Sequence, residues 1–266
     1  MEKFVIEGGR PLYGEIEIQS AKNAVLPLLA ASVLTEERIV IHNCPRITDV
    51  LNMAQILEEL GCRTSFTDGA LTVDPSDAAN HEIPAALAKE LRSSVFMLGS
   101  VLSRFGRARI AYPGGCDIGL RPIDLHLGGL RRLGVRIEEE GGYINCTCGK
   151  MRGADIVLGC PSVGATENIM LAAVKAEGTT VIRNAAKEPE IADLQNFVNR
   201  MGGRISGGGS STVVVEGVKS LRGAEYTPVS DRIEAGTFLI ASAMCGGELA
   251  LKNARAENLS ALLDKL

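Results

Sequence analysis

An internal repeat of about 70 residues constrains the fold of this chain more than any other feature of its sequence. A helix-ending Leu-Gly or Met-Gly, followed by a strand pattern, occurs at Leu60, Leu133 and Met201, at intervals of 73 and 68 residues. A second marker is a short strand that enters a loop, and it recurs at intervals of 69, 72 and 69 residues. Because a period this long is unlike the common helical solenoids, the two markers predict repeated mixed α/β units.

Each unit has the same predicted order: an apolar helix, a turn, a strand, a loop, an amphipathic helix, a glycine and two strands around a tight turn. The apolar helices are predicted to be buried nearly all round and to span residues 23–34, 87–103, 165–176 and 233–243. The amphipathic helices are predicted at residues 47–60, 122–133 and 191–201, and the glycines that end them are Gly61, Gly134 and Gly202. Asp68-Gly69 and Gly141-Gly142 are predicted hairpin turns.

The repeat count also predicts how the chain is divided into domains. Three complete units, residues 22–229, are long enough to bury a core of their own and are predicted to form one α/β domain. Residues 1–21 and 230–266 are predicted to belong to a second domain of the same type. The fourth unit begins near Ser230 but the sequence ends before the Leu-Gly marker that the repeat requires. We therefore expect the second domain to be incomplete and the chain to be truncated at its carboxy terminus.

Composition excludes several classes of protein. The 28 basic and 32 acidic residues give a net charge of −4, so no nucleic-acid-binding surface is predicted. The longest apolar run, residues 25–34, is about half of the roughly 20 residues that a membrane helix needs, and the amino terminus has no signal pattern. The sequence therefore predicts a cytoplasmic protein without a membrane or nucleic-acid partner, and it gives no prediction of the oligomeric state.

One segment, residues 112–126 with the sequence YPGGCDIGLRPIDLH, indicates a chemistry. It places Cys116 on a glycine-rich loop ahead of a helix that is predicted to start at Pro122. Arg121 and the free amides of that helix would attract an anion to the thiol, and an electropositive setting tunes cysteine reactivity. The alternative is a surface turn with an incidental cysteine, and spacing alone leaves both interpretations open.

The other cysteines give weaker signals. Seven cysteines without regular spacing predict reduced thiols rather than a disulfide framework. Cys146 and Cys148 lie two apart on a predicted strand, where a metal site and an ordinary strand edge are both possible. The strand edge is favoured because no histidine is near in sequence.

Several motifs together resemble the family of UDP-N-acetylglucosamine enolpyruvyl transferases. They are Lys22-Asn23-Ala24 before a proline-containing helix, Arg92 in Leu-Arg-Ser-Ser, the cysteine loop, Ser162-Val163-Gly164-Ala165-Thr166, and NAAKEPE at residues 184–190. The resemblance covers residues 1–266 and implies an inside-out α/β barrel of the enolpyruvyl transferase type, with three repeats per domain. It implies transfer of the enolpyruvyl group of phosphoenolpyruvate to the 3-hydroxyl of UDP-N-acetylglucosamine, with release of phosphate. This is the first committed step of peptidoglycan synthesis, and no cofactor or metal is implied.

The resemblance also implies roles for individual residues. Cys116 corresponds to the family's proton donor, which can hold a covalent phosphoenolpyruvate adduct and is the target of fosfomycin. Phosphoenolpyruvate binding is implied for Lys22, Asn23 and Arg121. UDP-N-acetylglucosamine binding is implied for Arg92, Arg121, Pro122, Ile123, Asp124, Leu125, Ser162, Val163 and Gly164. Asp124 is interpreted as a carboxylate that caps the helix and contacts the nucleobase, with a catalytic base as the alternative. His126 is interpreted as a structural residue, with a functional role as the alternative.

Two hypotheses about activity follow from the resemblance. The family's base for the sugar hydroxyl, and further arginines for the phosphate, would lie beyond Leu266. The first hypothesis is therefore a carboxyvinyl transferase whose isolated 266-residue chain is expected to be inactive. The second is a non-catalytic fragment that retains affinity for the nucleotide sugar.

Overall fold

The computed structural model describes residues 3–114 and 122–266. Cys116 and Arg121 therefore lie outside the described residues. The described elements are, in chain order, β1 (Leu12–Glu17), α1 (Lys22–Ser32), β2 (Ile39–Ile41), α2 (Thr48–Glu59), β3 (Arg63–Thr67), β4 (Ala70–Asp74), β5 (Glu82–Ile83), α3 (Ala85–Glu90), α4 (Phe96–Phe105), β6 (Arg107–Ala111), α5 (Asp124–Arg132), β7 (Arg136–Glu140), β8 (Tyr143–Thr147), β9 (Asp155–Val157), α6 (Val163–Ala173), β10 (Thr179–Arg183), α7 (Pro189–Arg200), β11 (Arg204–Ser206), β12 (Thr212–Glu216), β13 (Ala224–Tyr226), α8 (Arg232–Cys245), β14 (Gly247–Lys252) and α9 (Ser260–Leu263). A 3₁₀ turn, Arg92–Val95, precedes α4, and another, Ala256–Asn258, precedes α9.

The chain separates into two compact units. The large unit is Lys22–Val229, and the small unit combines Met1–Ala21 with Ser230–Leu266. Nearly all of the buried apolar side chains form one continuous core in the large unit. In the small unit, β1 and β14 pair in parallel, and Ile18, Ala235 and Leu259 form a separate small core.

Three four-stranded sheets of the same design make up the strands of the large unit. Their strand orders are β13-β2-β4-β3, β5-β6-β8-β7 and β9-β10-β12-β11. In each sheet the first strand runs parallel to the second, and the remaining pairs are antiparallel. In each sheet the parallel edge strand comes from the preceding repeat. β5 follows the first repeat and pairs with β6 of the second, and β9 follows the second repeat and pairs with β10 of the third. β13 follows the third repeat and pairs with β2 of the first, which closes the cycle. Strand exchange therefore links the three repeats.

The apolar helices α1, α4 and α6 lie inside and contact one another. Nine residues of α1 and nine of α6 are buried, which confirms that these two helices are enclosed nearly all round. The amphipathic helices pack against them, with α2 and α7 on α1 and α5 on α6. Because each sheet buries alternate side chains, the helices form the centre and the sheets the outside.

Backbone conformation confirms the turns that the repeat predicted. Gly61, Gly134 and Gly202 have φ values of 97°, 92° and 98°, the left-handed region in which glycine ends a helix without strain. Both residues of Asp68-Gly69 and of Gly141-Gly142 also have positive φ, as the tight turns of β3–β4 and β7–β8 require.

Three predicted helices differ from the structure. The helix predicted at residues 87–103 is interrupted at Leu91, where the backbone is extended and the side chain is buried. After this interruption, Ser94 Oγ donates to the carbonyl of Ala88. The prediction of a helix start at Pro122 is wrong, because Ile123 is the non-helical N-cap and turns its side chain into the core. The prediction that residues 233–243 are buried is also wrong, since α8 buries only Ala235 and Gly236 within the small unit.

Two expected absences concern membranes and metals. Among the residues that the structure describes, none of the helices combines the length and apolarity of a membrane span. Within the same residues there is no group of three or more His, Cys, Asp or Glu side chains that could hold a metal ion. Cys146 is buried on β8, and Cys148 follows the strand and donates from Sγ to the carbonyl of Gly134 at 3.4 Å.

Glu167 on α6 predicts a measurable pH dependence of stability. Its carboxylate is fully buried and neither oxygen has a hydrogen-bond partner among the described residues. Burial, followed by the charges of Glu190 and Glu188, raises its pKa well above the ordinary value of 4.5. Because this pKa is higher in the folded than in the unfolded protein, protonation of Glu167 contributes to the free energy of unfolding. The contribution is complete below pH 4.5 and is lost as the pH rises toward the pKa of the folded state.

Thermal unfolding of the parent and of Glu167→Gln between pH 4 and pH 8 measures this effect. We expect the parent to lose more stability than the variant over that range, because glutamine does not titrate. Glu36→Gln, at an exposed position of the same unit, is the matched control and is expected to follow the parent. Identical pH profiles for the parent and Glu167→Gln would show that Glu167 titrates normally.

Candidate active site

Lys22 and Asn23 are the first two residues of α1 rather than residues that precede it. Lys22 is half-buried and Asn23 is exposed. The Lys22 ammonium donates to Asp49 Oδ2 at 2.8 Å, and Asp49 lies in the first turn of α2. This ion pair holds the ammonium beside two helix amino termini, where free amides favour an anion. Lys22 and its surroundings could therefore accept a phosphate or carboxylate group.

Arg92 begins the 3₁₀ turn between α3 and α4 and is half-buried. Its Nη1 donates to the carbonyl of Pro113 at 3.4 Å. The backbone of Gly114 approaches α3 closely, since an added Cβ there would lie 2.1 Å from the carbonyl oxygen of Lys89. Arg92 therefore contacts the chain just before residues 115–121, the segment that contains Cys116.

The residues after the cysteine loop lead into α5. Pro122 is exposed and Ile123 is buried, while Asp124 lies in the first turn and Leu125 is half-buried. The prediction that Asp124 caps this helix is wrong, because Ile123 is the N-cap and makes no side-chain capping bond. The Asp124 carboxylate still stabilises the helix through the positive end of its dipole.

A cavity of about 430 Å³ lies between α5 and β9. We call it the nucleotide cavity, after the ligand that the resemblance implies for Asp124 and Leu125. It is lined by Asp124, Leu125, Gly128, Gly129, Arg132, Asp155, Ile156, Val157 and Leu158. Arg132 Nη2 donates to the carbonyl of Asp155 at 3.2 Å, and Arg183 forms a two-pronged ion pair with the Asp155 carboxylate. This pairing lowers the pKa of Asp155 and keeps it ionised.

Ser162 is the N-cap of α6, and its Oγ accepts a bond from the amide of Ala165 at 3.3 Å. Val163 and Gly164 follow in the first turn, and all three residues are half-buried. An added Cβ on Gly164 would lie 3.1 Å from the Phe96 ring and 3.2 Å from His126 Cε1. Gly164 therefore brings the start of α6 close to α4 and α5.

A chain of hydrogen bonds through His126 and Asn168 joins three helices. His126 Nδ1 lies 3.2 Å from Asn168 Nδ2, and Asn168 Oδ1 accepts the amide of Gly99 in α4 at 2.8 Å. Because the amide nitrogen of Asn168 donates, His126 Nδ1 is assigned as the acceptor and Nε2 carries the proton. Burial, and then the charge of Arg92, lowers the pKa of His126 to about 4, so the ring is neutral at pH 7. These contacts support the structural interpretation of His126.

The predicted site residues fall into two groups in the large unit. His126 is near Arg92, follows Asp124 and Leu125 on α5, and approaches Gly164, so these residues form one neighbourhood. Lys22 and Asn23 form the second group at the start of α1, where Lys22 pairs with Asp49 of α2. The roles of all of these residues, and of Cys116 and Arg121 outside the described part, stay predictions.

Sequence reasoning missed several residues of this region. The sequence did not predict Asp49, which binds Lys22, or Asn168, which contacts His126. It also did not predict Arg132 and Asp155, which line the nucleotide cavity. The one available signal was periodicity, because Arg132 lies on the α5 face that carries Asp124, Leu125 and Gly128. Asp49 and Asn168 had no signal in the sequence, since their contacts cross from one helix to another.

Comparison with known proteins establishes the family. The family model described as EPSP synthase (3-phosphoshikimate 1-carboxyvinyltransferase) matches residues 6–266. The chain belongs to the EPSP synthase family. Its central helices, outer sheets and repeated units are therefore features of an enolpyruvyl transferase fold.

Curated relatives within this family are similar over the whole chain. UDP-N-acetylglucosamine 1-carboxyvinyltransferase 2 of Caldanaerobacter subterraneus subsp. tengcongensis is 57% identical over 266 residues, which are 100% of this chain and 64% of the relative. UDP-N-acetylglucosamine 1-carboxyvinyltransferase 1 of Symbiobacterium thermophilum is 49% identical over 100% of this chain and 62% of the relative. The chain thus spans less than two thirds of these relatives, and the resemblance predicted from the motifs is confirmed.

Solved structures confirm the fold class. The enolpyruvyl transferase NikO from Streptomyces tendae matches with a TM-score of 0.80 at 24% identity, over 92% of this chain and 58% of NikO. EPSP synthase from Acinetobacter baumannii matches with a TM-score of 0.73 at 19% identity, over 93% of this chain and 57% of that protein. The prediction of an inside-out α/β fold of the enolpyruvyl transferase type is confirmed.

Proposed function

We propose that this protein transfers the enolpyruvyl group of phosphoenolpyruvate to the 3-hydroxyl of UDP-N-acetylglucosamine and releases phosphate. The observation that carries the proposal is the 57% identity, over every residue of the chain, to a relative named for this activity. The cysteine loop supports it, because the resemblance assigns a thiol to the same segment. The chemistry and the site residues named below belong to the same proposal.

The reaction requires an acid and several cations. The sugar hydroxyl gives its proton to the base that the resemblance implies, and its oxygen forms a bond to C2 of phosphoenolpyruvate while the Cys116 thiol delivers a proton to the methylene carbon, C3. The bond from C2 to the phosphate oxygen then breaks as a proton returns from C3 to the thiolate, and the enol ether and phosphate are the products. Lys22, Asn23 and Arg121 bind the phosphate and carboxylate of phosphoenolpyruvate, because ammonium and guanidinium groups offset their charge.

The nucleotide cavity is proposed to hold the uridine diphosphate part of the sugar substrate. Its volume of about 430 Å³ lies within the range of small-molecule sites, roughly 300–1,000 Å³. Asp124 and Leu125 line it, and both belong to the set that the resemblance assigns to this substrate. The proposed set of substrate-binding residues is completed by Arg92, Pro122, Ile123, Ser162, Val163 and Gly164. The hydrogen bond between His126 and Asn168 holds together the helices that carry this set.

The cellular role follows from the substrates. The product is the enolpyruvyl sugar nucleotide from which peptidoglycan synthesis proceeds, so we propose roles in cell-wall formation, cell shape and division. Because both substrates are multiply charged phosphate esters, which a bilayer excludes, we propose that the reaction takes place in the cytoplasm. Fosfomycin, an epoxide analogue of phosphoenolpyruvate, is the proposed inhibitor.

Gly128→Leu tests the proposed nucleotide site. Gly128 lines the cavity on α5, and a Cβ added to it would meet no atom within 4 Å, so a leucine side chain would fill the cavity without disturbing the core. We expect UDP-N-acetylglucosamine affinity, measured by titration calorimetry, to fall at least about tenfold, equivalent to about 1.4 kcal/mol. Unfolding stability should stay equal or rise, since glycine is a poor helix former.

Gly149→Leu is the matched control, because Gly149 is exposed and its added Cβ also meets no atom within 4 Å. It introduces the same side chain away from the cavity and is expected to leave the affinity unchanged. Equal affinity of the parent and Gly128→Leu would exclude the cavity as the nucleotide site. Equal loss in both variants would attribute the effect to a general disturbance of the protein.

A further inference from the structure

A second, larger cavity lies elsewhere in the large unit, and it shares no lining residue with the nucleotide cavity. It is an open groove of about 810 Å³, called the arginine groove below, and its lining residues are Glu37, Arg38, Val40, Arg200, Arg222, Gly223, Ala224 and Glu225. Three arginines face two glutamates in this groove. The established features of the chain do not account for it.

Contacts of the main chain bring together the three segments that carry the arginines. The Arg222 amide donates to the carbonyl of Met201 at 2.8 Å, and Arg222 Nε donates to the carbonyl of Arg200 at 3.4 Å, so Arg222 is attached to the end of α7. Gly223 approaches Arg38 so closely that an added Cβ would lie 2.5 Å from the Arg38 carbonyl oxygen. The three cations therefore belong to one site that is formed by α7, β2 and β13.

The two acidic residues of the groove already have partners. Glu37 Oε2 accepts the amide of Gly223 at 2.9 Å, and Glu225 Oε2 lies 3.3 Å from His42 Nε2. Within the described part of the chain, Arg38 and Arg200 make no salt bridge, and all three arginines are exposed. The groove therefore offers guanidinium donors that no carboxylate of the described protein occupies.

The arginine groove and the nucleotide cavity share two equivalent lining residues, because Arg200 and Glu225 of the groove correspond to Arg132 and Asp155 of the cavity. The rest of the lining differs: the cavity runs along α5, whereas the groove includes one residue of α7 and two residues at β2. The groove lies between α7 and β13 and the cavity between α5 and β9, and both edge strands pair in parallel with the strand of the next sheet. Arg200 and Arg132 are both in the last turn of their helices. The repeat therefore places an equivalent arginine and acidic residue in both concave surfaces.

The Glu225–His42 pair also has a counterpart beside the nucleotide cavity, in the Asp155–Arg183 pair. In each pair the acidic residue lies on the parallel edge strand. Its basic partner directly precedes an asparagine with positive φ: His42 precedes Asn43, and Arg183 precedes Asn184. The equivalence extends from the backbone to the charged side chains.

We propose that the arginine groove binds a small molecule that carries a diphosphate or two neighbouring phosphate groups, at a site separate from the proposed substrate site. Guanidinium groups match phosphate oxygens with paired hydrogen bonds, and three of them suit a ligand with more than one phosphate. Val40 is the one large apolar side chain in the lining and no aromatic ring is present there, so phosphate recognition rather than stacking defines the ligand class. The inference does not depend on the proposed enzymatic function.

Titration calorimetry with inorganic pyrophosphate, in the presence of saturating UDP-N-acetylglucosamine, tests the proposal. We expect saturable binding of one pyrophosphate per chain under these conditions. Arg38→Ala combined with Arg200→Ala is expected to weaken it roughly ten- to a hundredfold, because charge-assisted bonds to the ligand are lost. Neither side chain makes a hydrogen bond within the described part of the protein, so the thermal midpoint should stay unchanged.

Arg136→Ala combined with Arg107→Ala is the control, because both are exposed arginines of the same unit that do not line the groove. This control removes the same two positive charges and is expected to change pyrophosphate affinity by less than about twofold. Equal weakening by the control would show non-specific charge attraction and overturn the proposal. Loss of pyrophosphate binding when the nucleotide sugar is added, or absence of saturable binding, would also overturn it.

Discussion

Replacement of Cys116 by alanine is expected to lower turnover by about 10² to 10⁴-fold, the range for loss of a positioned general acid. In the proposed mechanism the Cys116 thiol delivers the proton to C3 of phosphoenolpyruvate, so in the variant the sugar hydroxyl meets an unactivated double bond. The measurement is kcat with both substrates saturating, for residues 1–266 followed by the corresponding carboxy-terminal segment of the Caldanaerobacter relative. Cys160→Ala, at an exposed thiol in the loop before α6, is the control and should retain most of the activity.

Labelling with fosfomycin checks the same assignment without turnover. Burial raises the pKa of Cys44 to about 12, of Cys62 to about 11 and of Cys146 to about 12, so these thiols stay protonated and unreactive. Exposure alone does not direct the epoxide to Cys160 or Cys245, because neither belongs to the predicted phosphoenolpyruvate site.

Peptide mass mapping is expected to find the fosfomycin adduct on Cys116 alone. UDP-N-acetylglucosamine is expected to accelerate its formation. An adduct on Cys146 or Cys148, or equal labelling of Cys160 and Cys116, would contradict the site assignment. Iodoacetamide, which lacks the phosphonate, serves as the control for general accessibility and should label the exposed thiols as well.

The second large effect concerns stability, and it is expected from Arg104→Ala. The guanidinium of Arg104, in the last turn of α4, donates to the carbonyls of Val33 at 3.0 Å, Thr35 at 2.5 Å, Pro75 at 2.9 Å and Ala78 at 3.4 Å. Truncation leaves these acceptors without their donor and removes the link between two loops. We expect a loss of about 3 kcal/mol in the free energy of unfolding.

Chemical and thermal unfolding measure this loss. For a unit of this size, about 3 kcal/mol corresponds to a decrease of roughly 6–12 °C in Tm. Arg107→Ala is the matched control, because Arg107 is exposed at the start of β6 and the described structure gives it no side-chain hydrogen bond. It should change Tm by no more than about 2 °C. A similar small change for Arg104→Ala would show that the four contacts contribute little.

The architecture of the repeat was accessible from the sequence because its signals are local. Gly61, Gly134 and Gly202 end helices at positions that need positive φ, and the apolar composition of α1 and α6 matches their nearly complete burial. The cyclic exchange of β5, β9 and β13 was not accessible, since these strands have two or three residues and pair with a different repeat. Short strands carry too few residues for a periodic pattern.

The partners of the candidate site residues were not predicted, because these contacts depend on tertiary packing. Lys22 and Asp49 are 27 residues apart, and Asn168 and His126 are 42 apart. No spacing rule connects such pairs, because they meet only when separate helices pack. The burial of α8 was predicted wrongly from its apolar composition, which describes what a helix could bury and not what surrounds it.

The most direct test of the proposed function is to incubate phosphoenolpyruvate and UDP-N-acetylglucosamine with the enzyme and analyse both products of one reaction. Residues 1–266 match 64% of the Caldanaerobacter relative, so the assay uses these residues followed by the corresponding carboxy-terminal segment of that relative. Mass spectrometry follows the sugar nucleotide and a colorimetric assay follows phosphate. We predict a nucleotide sugar heavier by one enolpyruvyl group, with one phosphate released per transfer. Binding of the nucleotide sugar without transfer, or phosphate release without the modified sugar, would contradict the proposed function.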